Sequence, residues 1–106
     1  MSERLEKHAI DLHYLLRAKP TVCKVIIDHC DTEFINCICE CVHNILNGTF
    51  PLEKKERSKL KKHKYNLRKL VKRETPLKEK KKIIQKGGFL GALASVVLPL
   101  LSGLIK

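Results

Sequence analysis

DTEFINCICECVHNILNG, residues 31–48, decides the fold class. Phe34, Ile38, Cys41 and Ile45 recur every three to four positions, with Cys37, Val42 and Leu46 beside them, which is the spacing of one helix face. Asp31 or Thr32 offers a side-chain oxygen just ahead of the run, as an N-cap does. Asn47-Gly48 stops it, because glycine accepts the left-handed conformation that follows a helix end. Cys37, Cys39 and Cys41 alternate within the stretch, but read as a helix it places Cys37 and Cys41 on one face with Cys39 pointing away.

Working outward, the same periodicity continues on both sides. Upstream, Val22, Cys23, Val25, Ile26, Ile27 and Cys30 follow Pro20, which suits the first turn of a helix. Before that, Leu5, Ala9, Leu12 and Leu16 mark a helix over residues 3–17. Residues 1–50 are therefore expected to form a compact three-helix unit. Downstream, residues 51–86 form a basic helical region. A helix over Glu53–Arg73 puts Leu60, His63, Leu67, Leu70 and Val71 on one side. Lys55, Lys59, Lys62, Lys69 and Arg73 fall on the other, with Lys54, Lys61, Arg68 and Lys72 at its margins. Thr75-Pro76 breaks that helix and starts a shorter one through Leu77, Ile83 and Ile84. Gly87-Gly88 reads as a hinge, and residues 89–106 as an apolar peptide. The predicted class is all-α: a small helical bundle, a basic helical region and an apolar C-terminal helix.

Charge divides the chain along the same lines. Up to Phe50, five Lys/Arg face seven Asp/Glu; from Pro51 to Gly88, sixteen face four; beyond that only Lys106 is charged. Such a cationic block points to nucleic acid or to an anionic membrane surface. A surplus of twelve over thirty-eight residues exceeds what solubility asks for. Lysine outnumbers arginine and Tyr65 is the only aromatic among them, so neither base stacking nor bidentate base readout is expected. Phosphate neutralisation with counterion release remains, a mode that is sequence-independent and salt-sensitive. DNA is the expected partner, with Lys54, Lys55, Lys59, Lys61, Lys62, Arg68, Lys69, Lys72 and Arg73 as the contacts.

Cys23, Cys30, Cys37, Cys39 and Cys41 are odd in number, and Met1–Arg17 is charged throughout with no apolar leader core. Reduced thiols in the cytosol or nucleus follow. His29, Cys30, Cys37, Cys39, Cys41 and His43 have the donors for zinc, but not the paired C-x2-4-C knuckles of zinc fingers. Were a metal present, Cys30, Cys37, Cys41 and His43 would be the candidate ligands. The plainer expectation is small buried side chains, no metal and no cofactor. No nucleophile signature, phosphate loop or dinucleotide motif occurs, so no enzyme is expected.

The last eighteen residues would span roughly 27 Å as a helix, just short of a ~30 Å hydrocarbon core. Gly91, Pro99 and Gly103 interrupt them. Phe89, Leu90, Leu93, Val96, Val97, Leu98, Leu100, Leu101, Leu104 and Ile105 are the residues that would meet lipid.

At Gln85-Lys86-Gly87-Gly88-Phe89 a lysine-rich stretch, a Gly-Gly pair and an apolar tail come together. The arrangement resembles the adenovirus minor core precursor family, protein X, and the small basic proteins of Maverick/Polinton elements and adintoviruses. The resemblance covers about residues 54–106. It implies a virion component that acts in the host nucleus and helps to condense a genome. It also implies capsid proteins and a maturation protease as partners, a cut between Gly88 and Phe89, and a released tail that perturbs membranes. Two rivals stand beside it. One is a membrane-associated interaction protein whose lysines meet anionic lipid and whose tail is an anchor. The other is a chromatin-type nuclear protein whose apolar tail is simply core.

Overall fold

The computed structural model describes residues 3–48, 52–86 and 88–102. All seven elements within them are α-helices: α1 (Glu3–Arg17), α2 (Pro20–His29), α3 (Thr32–Leu46), α4 (Lys54–Lys61), α5 (Lys64–Val71), α6 (Leu77–Lys86) and α7 (Leu90–Ser102).

Local chemistry explains the helix ends. Glu3 and Glu6 sit in the first turn of α1 and Arg17 in its last, each sign where the helix dipole favours it. Asp31 caps α3, its Oδ1 accepting the Phe34 N–H at 2.9 Å. Gly48 takes φ +75° at the other end, a conformation that costs glycine little. At the start of α4 the Glu56 carboxylate accepts the Glu53 N–H at 3.0 Å. The α2 C-terminus is capped from a distance: Lys81 Nζ donates to the carbonyls of Asp28 (3.3 Å) and Cys30 (3.2 Å). These are among the carbonyls that a helix end leaves without an intrahelical partner.

The expected helix over Glu53–Arg73 is two helices. The chain turns at Lys62–His63, where the His63 N–H bonds the Leu60 carbonyl at 2.9 Å and His63 adopts φ −106°, ψ 10°. A straight helix of that length would reach roughly 31 Å at ~1.5 Å per residue. The whole fold measures 32 × 31 × 26 Å, so one rod could not keep its apolar side on the core from end to end. The break lets α4 pack on α7 while α5 packs on α3.

The zones of composition at 1–50, 51–86 and 89–106 share a single hydrophobic core. Leu12, Leu15, Ile35 and Ile38 belong to one cluster with Leu60, Leu67, Leu70, Ile84, Phe89, Leu93 and Leu101. The apolar segment contributes one face to this core: α7 lies chiefly along α1 and also against α4. Phe89, Leu93, Val97 and Leu101, four residues apart, are at most 1 % exposed. Gly91, Ser95 and Pro99, at the same interval, face solvent. The helix is two-faced by size rather than polarity. Because Pro99 lies on the open side, the Ser95 carbonyl that it leaves without a partner can be hydrated.

Candidate nucleic-acid interface

The side of α5 opposite its buried Leu67 and Leu70 carries Lys64, Tyr65, Arg68 and Lys69, at i, i+1, i+4 and i+5, and Lys72 follows as the extended residue that ends the helix. The loop after α5 folds back on it, held by Thr75 Oγ1 donating to the Lys69 carbonyl at 2.7 Å. Thr75 and Pro76 thereby wall a concavity of about 980 Å³ with those five residues, Glu74 and Glu79. A second hollow of about 280 Å³ adjoins it through Lys69 and Glu79 and is lined further by Asn66, Lys82, Ile83 and Lys86. Together they form a groove between α5 and α6. Lys69 pairs with Glu79 at 3.4 Å. Among the described residues Lys64, Arg68, Lys72, Lys82 and Lys86 make no ion pair.

The cationic residues read from the sequence therefore divide. Arg68, Lys69 and Lys72 lie in the groove. Arg73 is exposed in the loop that follows. Lys54, Lys55, Lys59 and Lys61 are exposed on α4, and Lys62 at the turn, on a separate helix against α7 rather than on one long cationic stripe. Lys64, Lys82 and Lys86 join the groove and were not among the expected contacts. The spacing of Lys64, Arg68 and Lys72 is legible in sequence; the approach of Lys82 and Lys86 depends on how α6 returns along α5. Lys81 is occupied with the end of α2.

The cleavage-like motif is partly sequestered. Gln85 and Lys86 form the last turn of α6. Gln85 Nε2 donates to the Lys24 carbonyl (3.1 Å) and to Asp28 Oδ1 (2.6 Å) on α2. Gly87 lies outside the described residues. Gly88 turns the chain with φ +67°, and Phe89 is fully buried, its ring 6.4 Å from that of His63. Of the remaining lipid-facing candidates, Leu90 and Leu98 are half-buried and Val96 is buried. The Leu100 side chain, Leu104 and Ile105 lie outside the described residues. No helix among the described residues is long and apolar enough to cross a membrane.

The thiols point inward. Cys23 donates to the Leu15 carbonyl (3.2 Å) and Cys30 to that of Ile27 (3.2 Å). Burial pushes the thiols of Cys23, Cys30 and Cys39 up. Cys37 and Cys41 are both buried, one turn apart on α3. The hydrogen bond between them, followed by burial, pushes Cys41 up, and the same bond lowers Cys37. Among the described residues no three His, Cys, Asp or Glu side chains gather as a metal site, so Cys30, Cys37, Cys41 and His43 are not brought together as ligands. The other concavity of note, about 390 Å³ between α1 and α2, is lined by His8, Asp11, Tyr14, Ile26, His29, Cys30, Asp31 and Phe34. It carries two acids and no Lys or Arg, which makes it unsuited to phosphate.

No family model, curated protein or solved structure matches the chain.

Proposed function

We propose that this is a nucleic-acid-binding protein that holds phosphates in the α5–α6 groove without reading sequence. The observation that carries the reading is the convergence of Lys64, Arg68, Lys72, Lys82 and Lys86 from two helices onto one groove, none of them in an ion pair among the described residues. Fixed cations so placed release condensed counterions when phosphates enter, whatever the bases. The α4 lysines add a cationic flank.

The test is binding of the full chain to DNA duplexes of unrelated sequence. With about six phosphates contacted, affinity should fall on the order of a thousandfold between 50 and 200 mM salt. Strong preference for one duplex, or a flat salt response, would count against the reading.

The lysine-rich stretch before Gly87-Gly88 and an apolar segment supports, by resemblance, a minor core role in a virion that enters the host nucleus. Capsid proteins and a maturation protease would then be further partners. Cutting after Gly88 would require the last turn of α6 to open, since Gln85 is bonded to α2 and Phe89 is interior. The peptide from Phe89 would act on membranes only once freed. Burial of Phe89, Leu93, Val97 and Leu101 leaves the folded chain without that strip to offer a bilayer, which weighs against the tail-anchor rival.

A further inference from the structure

We infer that the groove takes unpaired nucleotides, with Tyr65 as the platform on which one base stacks. The inference rests on the nucleic-acid reading and narrows its ligand from phosphate in general to single-stranded nucleic acid. The sequence offers only one aromatic in the cationic region, which argues against stacking when the aromatics are merely counted. Placement changes that conclusion. Tyr65 is 78 % exposed and lines the 980 Å³ concavity with Lys64, Arg68 and Lys72, a space at the top of the ~300–1,000 Å³ range of ligand clefts. The Thr75–Pro76 loop forms another part of its wall, so Tyr65 stands exposed at a shallow, open concavity that it shares with those cations.

Charge alone is a weak ligand selector here. Glu74 and Glu79 line the same concavity, and Glu79 occupies Lys69, leaving Lys64, Arg68 and Lys72 as the cations for phosphate. An exposed ring beside them supplies what the reduced charge does not, because every base has a face to stack and the attraction is sequence-tolerant. A duplex keeps those faces inside its own stack and offers the groove phosphates only. A single strand offers both together, the base to Tyr65 and the flanking phosphates to Lys64, Arg68 and Lys72. DNA and RNA strands share this chemistry.

The chain has two tyrosines and no tryptophan, so in the full-length Tyr14→Phe variant Tyr65 is the sole emitter. Its fluorescence would be followed while adding oligothymidine, an abasic deoxyribose-phosphate strand of equal length, a duplex, or oligouridine. Oligothymidine should quench the emission and bind roughly tenfold more tightly than the abasic strand, which has the same phosphates and no bases. Quenching by oligouridine as well extends the site to both sugars; its absence confines the site to DNA. Tyr65→Ala should weaken oligothymidine binding roughly tenfold and leave duplex binding within twofold, while Tyr65→Phe, which keeps the ring, should restore it. Equal binding of oligothymidine, abasic strand and duplex with a neutral Tyr65→Ala overturns the stacking site and leaves phosphate binding standing. No binding to any of them overturns both.

Discussion

α5 and α7 are both two-faced helices, yet they sort their residues by different properties. α5 divides by polarity, with Leu67 and Leu70 inward and Lys64, Arg68 and Lys72 outward. α7 divides by size, with Phe89 capping an inward stripe of Leu93, Val97 and Leu101 and an outward one of Gly91, Ser95 and Pro99. Both arrangements bury one side, because packing depends on how much apolar surface each position can remove from water. Only the first leaves a surface that can attract a charged ligand. A helix without charge need not be destined for a membrane; small residues can mark its wet side.

The size-sorted helix should respond most strongly to truncation. Phe89→Ala removes a fully buried ring and is expected to destabilise by about 3–5 kcal/mol, and Leu93→Ala by about 2–5. Ser95→Ala, on the exposed stripe, should stay within about 0.5 kcal/mol. Urea unfolding of the three variants measures this directly. If Phe89→Ala and Ser95→Ala prove equally mild, α7 is not core and the separable-peptide reading gains. Such losses matter against a total stability of roughly 5–15 kcal/mol for a domain.

A smaller effect is expected where α6 passes into α7. At Gly88 an added Cβ would meet nothing within 4 Å, so any cost comes from φ +67° alone. Gly88→Ala should then cost about 1–2 kcal/mol. A neutral Gly88→Ala would mean that this turn relaxes freely, which would also make the Gly88–Phe89 bond easier for a protease to reach. Asp31→Ala should cost about 1 kcal/mol through loss of the α3 cap, and thermal or urea unfolding reads both. On α5 the outward residues should be nearly silent in stability: Tyr65→Ala is expected within about 0.5 kcal/mol. That contrast is what makes its binding defect interpretable.

These contrasts also explain what the sequence could reveal. Helix periodicity identified the all-α class and placed α1, α2 and α3, because Leu12, Ile27 and Ile38 repeat on clear apolar faces. Asp31 was readable as a cap because an acceptor ahead of an apolar run has a local purpose. The break at Lys62–His63 was not readable: neither residue is a helix breaker, and the turn arises from the width of the fold. Whether α7 packs on the core was left open because its polarity is uniform, and hydropathy cannot distinguish an apolar helix packed on protein from one packed in lipid. In the groove, Lys64 and Arg68 lie one turn apart on α5 with Lys72 at its end, and can be read by spacing. Lys82, Lys86 and the Thr75–Pro76 wall come from other segments, and no local pattern announces them.

The comparison comes to its sharpest point within the cationic region itself, where α5 shapes a concavity of about 980 Å³ and α4 borders a smaller, mostly apolar hollow of about 240 Å³. Lys64, Arg68 and Lys72 changed together to Ala, and Lys54, Lys55 and Lys59 changed together to Ala, remove the same charge from two places. The decisive measurement is the slope of log affinity against log salt for each full-length variant on oligothymidine. Groove binding predicts that the first variant lowers the slope by roughly 2, near the ~0.7 per phosphate contact of single strands, and the second by well under 1. Equal losses from both would contradict it, and would mean that the chain attracts nucleic acid by its total charge and not through a site.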